Sequence, residues 1–256
     1  MTLAEYYGFP EGTNCVRKYY NVTDEGANYP LNGDLSYFFN EEEQRYALPD
    51  LKDCKPTKMN YFAAECKGVE TLDSLQYIDT SNCDNFSYAF NYLSGITSTN
   101  GISNWDTSKA TNMANMFNYC SGLLNADISN WDTSKVTNMS SMFAYCNKLT
   151  TLSTIDCTSV AQNQYPLQAY SNNTTLTTVG GFINMKSSWD NNYGLSKFTN
   201  LTYESCINIL NGLYDFTGNN QTPTSTQGKL KVHANFLTTV GDEISIGTSR
   251  GWVITT

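Results

Sequence analysis

The sequence predicts an α/β fold, a solenoid of short parallel strands and short helices that is capped at both ends. Three observations carry that expectation. A 17-residue segment occurs twice, nearly unchanged, 26 residues apart. Apolar residues recur within each copy at i, i+3, i+4 and i+7, the spacing of one helix face. An apolar, partly β-prone stretch follows every copy.

The first 47 residues contain no repeat, yet they are rich in aromatics, among them Tyr6, Tyr7, Tyr19, Tyr20, Phe9, Phe38 and Phe39. Such density reads as a cap covering the first repeat, since the open end of a repeat array has to be covered. A second reading is a docking element with Tyr6, Tyr7, Tyr19 and Tyr20 as its candidate docking residues, because Tyr is enriched in interface cores and hot spots.

Residues 48–185 are expected to hold about five repeat units. The strong copies read NWDTSKATNMANMFNYC from Asn104 to Cys120 and NWDTSKVTNMSSMFAYC from Asn130 to Cys146. Weaker copies precede them, with Met59, Phe62, Ala63 and Cys66, then Phe86, Ala89, Phe90 and Leu93, at the positions of Met113, Met116, Phe117 and Cys120 and of Met139, Met142, Phe143 and Cys146. Each such stretch is expected to be a short amphipathic helix with Thr111 or Thr137 as N-cap, too short to be stable without its neighbours. Val69 to Leu75, Ile96 to Ile102, Leu123 to Ile128 and Leu149 to Ile155 are the expected strands. A period of 26 or 27 residues falls in the leucine-rich-repeat range, so the solenoid is of leucine-rich-repeat type. A degraded unit around Asp156 to Phe182 closes the array.

Residues 186–256 read as a C-terminal capping region. Leu201 to Leu213 is amphipathic with Thr202 as N-cap, Asn219 to Gln227 is a polar loop, Lys229 to Val232 is a strand, and Trp252 plugs the last unit.

Composition narrows the function classes. The chain has 256 residues, 40% of them hydrophobic, and a formal charge of -9. That is enough apolar material for a folded core, and the charge repels a phosphate backbone, so nucleic acid is not an expected partner. No basic start followed by an apolar run occurs near Met1, and no window reaches the roughly 18 apolar residues of a span, so neither an export signal nor membrane insertion is expected.

The signature at Trp105 to Cys120 and Trp131 to Cys146 resembles the BspA-like leucine-rich repeats of surface proteins from host-associated bacteria and some of their phages, a resemblance that covers roughly residues 50 to 160. It implies adhesion or attachment without catalysis, and it brings no catalytic residues to transfer. The ILNGLYD helix and the GTSRGWVIT ending give a weaker likeness to the close of repeat proteins from gut bacteria and their phages.

No motif points to chemistry. Trp105 and Trp131 share their repeat position with Leu51, Ile78 and Ile155, which marks them as packing residues and not sugar platforms. Asp79, Asp106, Asp132 and Asp156 are expected to fix their own loops by accepting backbone N–H groups instead of binding calcium. Cys66, Cys120 and Cys146 occupy the position of Leu93, so these thiols are expected to be buried and reduced, with a bridge between neighbouring units as the alternative. His233, the single histidine, has no identifiable catalytic partner. No enzyme activity, cofactor or metal is expected.

The functional expectation is a non-catalytic binding or structural protein, a phage virion component (fibre, decoration or tail-associated) used for attachment or assembly. The alternatives are a bacterial cell-surface adhesin or a piece of one, and a soluble carbohydrate-binding module. Expected partners are other virion proteins, or a bacterial surface protein or glycan, with a homo-oligomer left open.

Overall fold

The structure is a computed structural model that describes residues 32–39, 48, 51, 54–161, 164, 166–167, 174–186, 195–224 and 227–256. Its strands are short and pair in parallel. β1 (Asn32–Asp34) pairs with β2 (Lys55–Lys58). β3 (Asn125–Ala126), β4 (Thr151–Leu152) and β6 (Thr178–Val179) form one three-stranded sheet. β5 (Ile155–Asp156) pairs with β7 (Phe182–Ile183), and β8 (Lys229–Lys231) with β9 (Val253–Thr255).

Among the described residues, the helices expected inside the repeats are absent. In the unit at Met59 to Cys66, alternate N–H groups leave the unit. Met59 donates to Asn85 O at 2.9 Å, Tyr61 to Ser87 O at 3.0 Å, Ala63 to Ala89 O at 2.8 Å and Glu65 to Asn91 O at 2.7 Å. The N–H groups between them close tight turns within the unit, such as Phe62 to Met59 O at 3.1 Å. The next units repeat the scheme, with Tyr88 donating to Ala114 O and Tyr119 to Ala144 O.

Left-handed backbone enforces this pattern. Tyr61 and Glu65 have φ of 55° and 65°, Tyr88 and Tyr92 58° and 60°, Asn115 and Tyr119 56° and 61°, and Ser141 and Tyr145 56° and 60°. An α-helix needs negative φ throughout and every N–H aimed four residues back. Two left-handed residues, four apart, break that run and turn the amides toward the neighbouring unit. Thr111 and Thr137, expected as N-caps, instead donate their N–H groups to Asp84 O and Thr111 O, each at 2.9 Å.

The fold class is corrected accordingly. The expected leucine-rich-repeat-type α/β solenoid gives way to short parallel strands in small separate sheets joined by turns. Among the described residues, the α-helices lie after residue 200. The expected strands are also reduced: Val69 to Leu75 and Ile96 to Ile102 end in single 3-10 turns at Asp73–Leu75 and Asn100–Ile102, and only two-residue strands form in the later units.

The W-D-T-S motif explains how units hold together. Trp105 and Trp131 reach back, their indole N–H groups donating to Leu75 O at 3.0 Å and Ile102 O at 2.9 Å. The buried threonines reach forward. Thr80, Thr107 and Thr133 donate from Oγ1 to the carbonyls of Asp106, Asp132 and Asp156 at 2.9, 3.1 and 2.9 Å. Each such bond contributes about 1 kcal/mol net, and the same groups left unpaired inside the protein would cost more.

Between these bonds runs one apolar core from Leu35 to Trp252. Phe90, Phe117 and Phe143 stack through it with ring centroids 5.6 and 5.4 Å apart. The approach of neighbouring turns is close enough to demand glycine at Gly101, where a Cβ would lie 2.2 Å from the Leu72 carbonyl carbon.

After residue 200 the chain forms helices, the first of which packs against β6 and β7. α1 (Tyr203–Gly212) starts at Thr202, whose side chain accepts the Ser205 N–H as the sequence predicts. Ser205 Oγ in turn accepts from Val179 N at 2.9 Å and donates to Thr177 O at 3.1 Å, fastening α1 to β6. The Arg250 guanidinium donates to Asn211 O and Leu213 O, both at 2.7 Å, satisfying carbonyls at the end of α1. α2 (Ala234–Val240) and α3 (Ser245–Ser249) follow. Trp252 is buried, with its Nε1 donating to Tyr214 O at 2.9 Å.

Candidate binding surface

The sequence-predicted repeat core is interior. Met113, Met116, Phe117, Cys120, Met139, Met142, Phe143 and Cys146 are all fully buried, and Trp105 and Trp131 are buried beside them. None of the ten faces solvent as a ligand platform. The candidate docking residues Tyr6, Tyr7, Tyr19 and Tyr20 lie outside the described residues. Of that aromatic segment, residues 32–39 are described, and Leu35, Tyr37 and Phe39 donate to Lys58 O, Asn60 O and Phe62 O as one unit does to the next.

The cysteines do more than fill space. Cys66, Cys120 and Cys146 donate from Sγ to the carbonyls of Phe39, Phe90 and Phe117 at 2.9, 3.1 and 3.1 Å. The seven described cysteines are free thiols, all buried. Burial pushes the Cys83 thiol up to about 12 and that of Cys206 to about 11, and raises Cys120, Cys146 and Cys157 well above the ordinary range. Such thiols are poor nucleophiles at neutral pH.

The aspartates act locally. Asp79, Asp106, Asp132 and Asp156 accept the N–H of the residue two places on, Ser81, Ser108, Ser134 and Thr158, at 2.8 to 3.1 Å. Hydrogen bonds from the serines hold Asp79, Asp106 and Asp132 below the usual carboxylate range. No cluster suited to a metal ion occurs among the described residues. His233 caps α2, its Nδ1 accepting the Asn235 N–H at 3.1 Å, and it lines an open cavity of about 390 Å³ with Lys197 and Lys231.

The surface feature that the sequence reading missed is tyrosine. Two columns of rings run across the repeat units. In the first, Tyr37 stacks on Tyr61 at 4.8 Å and Tyr61 on Tyr88 at 4.4 Å, with planes within 6°. In the second, Tyr92 stacks on Tyr119 at 4.4 Å and Tyr119 on Tyr145 at 4.1 Å, with planes within 8°. The columns share the unit containing Tyr88 and Tyr92.

These rings are half-buried or exposed, and all six residues sit at positive φ. Left-handed backbone costs a residue with a Cβ about 1–2 kcal/mol, and it suits Gly or Asn far better than a bulky side chain. Asn115 holds that position in the first column, where no ring follows Tyr88. Burial and the neighbouring Tyr88 and Tyr37 phenols push the Tyr61 phenol above its ordinary value, and burial with Tyr119 does the same at Tyr92. A signal for the columns exists in the sequence. Tyr61 and Tyr88 are 27 residues apart, as are Tyr92 and Tyr119, and Tyr145 follows after 26.

Residues 57–178, just under half of the chain, match a family described as "Mycoplasma protein of unknown function, DUF285". That stretch contains both strong copies of the repeat and most of the tyrosine face. No curated protein and no solved structure matches the chain.

Proposed function

We propose that this chain is a non-catalytic binding protein that works in attachment or assembly, on a virus particle or on a bacterial surface, through its tyrosine-lined face. One observation carries the reading: six tyrosines are kept outside the core, on backbone that disfavours them, in columns crossing five consecutive units. Packing of the interior does not require them there. Tyrosine supplies large, rigid, amphipathic contact area, which is why it is enriched at protein interfaces and their hot spots.

The stacking favours a macromolecular partner over a single sugar. Rings within a column cover one another's faces, so edges and hydroxyls are what a partner meets. A sugar ring stacks on an aromatic face, whereas an extended surface can be gripped by a row of edges and hydrogen bonds.

The test measures binding of labelled chain to virus particles and to intact cells of the producing bacterium. A Tyr88→Ser, Tyr92→Ser, Tyr119→Ser triple variant that keeps its circular dichroism spectrum should bind at least about tenfold more weakly. Equal binding by the two proteins overturns the reading. Peptide mass spectrometry of the same two fractions identifies where the chain resides.

A further inference from the structure

The two columns set up an oxidative chemistry that binding does not need. Removal of one electron and one proton from a phenol leaves a radical shared between the oxygen and the ring carbons ortho to it. Two such rings join through a carbon–carbon bond between ortho carbons. In a protein the usual obstacle is encounter, and groups held in place react as if at very high concentration.

Here the encounter is built in. Tyr92 and Tyr119 have centroids 4.4 Å apart and planes 5° from parallel, and Tyr119 and Tyr145 lie 4.1 Å apart at 8°. Tyr61 and Tyr88 match them at 4.4 Å and 4°. Carbons of neighbouring rings are therefore at or near van der Waals contact. Tyr77 and Tyr203 are more accessible, at 63% and 51% exposed, but among the described residues neither has a stacked partner of this kind. The Tyr203 hydroxyl instead donates to Glu243 Oε1 at 3.0 Å.

The geometry points to the tyrosine columns as a modification site, where a heme peroxidase acting with hydrogen peroxide links neighbouring repeat units through intramolecular dityrosine. Each of two stacked phenols loses one electron and one proton. The radicals couple, and the hydrogen on each coupling carbon moves to that ring's oxygen, restoring two phenols joined by one new carbon–carbon bond. The two electrons and two protons reduce one hydrogen peroxide, whose oxygen–oxygen bond breaks to give two waters. Units held to one another by hydrogen bonds and packing become covalently tied. This inference stands apart from what the face binds.

The experiment treats the full chain, at a dilution that keeps chains apart, with peroxidase and hydrogen peroxide, then maps linked peptides lacking two hydrogens. Links are expected within single chains, joining Tyr61 to Tyr88 and Tyr119 to Tyr92 or Tyr145. Tyr119→Phe keeps the ring and the stack but removes the phenol, so it should abolish the second-column links and leave Tyr61–Tyr88 intact. Tyr88→Phe should abolish the Tyr61–Tyr88 link and leave the second-column links intact. Three results overturn the proposal: no links, links made mainly through Tyr77 or Tyr203 or only between chains, or an undiminished second-column yield in Tyr119→Phe.

Discussion

The ring of Tyr119 lies between those of Tyr92 and Tyr145, nearly parallel to both and 4.1 Å from Tyr145. Its backbone is left-handed, at φ 61°. Two stacking contacts, each worth about 0.5–1.5 kcal/mol, offset a conformational cost of about 1–2 kcal/mol. Replacement by Asn, which tolerates positive φ, removes both contacts at Tyr119 and one at Tyr92. Tyr119→Asn should therefore be less stable than Tyr92→Asn by about 1 kcal/mol, read from urea midpoints. Equal midpoints would show that the stacks contribute nothing.

Inside the array, Phe143 is fully buried and stacks on Phe117 at 5.4 Å. Phe143→Ala should cost about 3–5 kcal/mol, because it removes a ring from a core whose neighbours are fixed on both sides. Trp131→Phe should cost less, about 2 kcal/mol, from a smaller void and the loss of the indole bond to Ile102 O. Calorimetry on the two variants checks the order.

Gly101 and Gly241 test two different demands on glycine. At Gly101 an added methyl meets the Leu72 backbone at 2.2 Å, so Gly101→Ala should destabilise by about 3 kcal/mol or more. At Gly241 the space is open but φ is 53° and ψ −126°, a backbone region that side chains with a Cβ rarely adopt, so Gly241→Ala should cost only that conformational strain, about 1–3 kcal/mol. Denaturant melts that rank them the other way would contradict the close packing of the Gly101 turn.

Buried thiols make the fold sensitive to alkali. Burial raises Cys83 to about 12 and Cys206 to about 11, whereas an unfolded thiol ionises near about 8.5. Above that pH the unfolded chain releases protons that the folded chain retains. Their contribution is thus fully present below about pH 8.5, shrinks as the pH rises and is lost through the folded values. Urea midpoints should be level from pH 6.5 to 8 and fall by pH 10. The seven described thiols should resist a thiol reagent at pH 7.5 until the chain unfolds, and fast reaction of these thiols in the native protein would refute their burial.

The inward register was legible in the sequence and the backbone conformation was not. Met113, Met116, Phe117 and Cys120 follow a helical spacing and are all buried. Tandem turns with a left-handed residue every fourth position place the same residues inward, so periodicity alone could not separate the two. The usual marker of positive φ is Gly or Asn, and Tyr61, Tyr88, Tyr92 and Tyr119 hide it. α1 was readable because Thr202 supplies an ordinary N-cap and no left-handed residue interrupts the run that follows. The tyrosine columns escaped notice because they lie off the apolar stripe, although their spacing equals the repeat.

The alternate amides that leave each unit for the next also decide how the chain behaves under load. These bonds run from unit to unit, so under tension the weakest junction gives first and the units release one after another. Release of a unit of 26 residues pays out roughly 90 Å of extended chain while the units behind it stay folded. A chain built this way lengthens in steps under force.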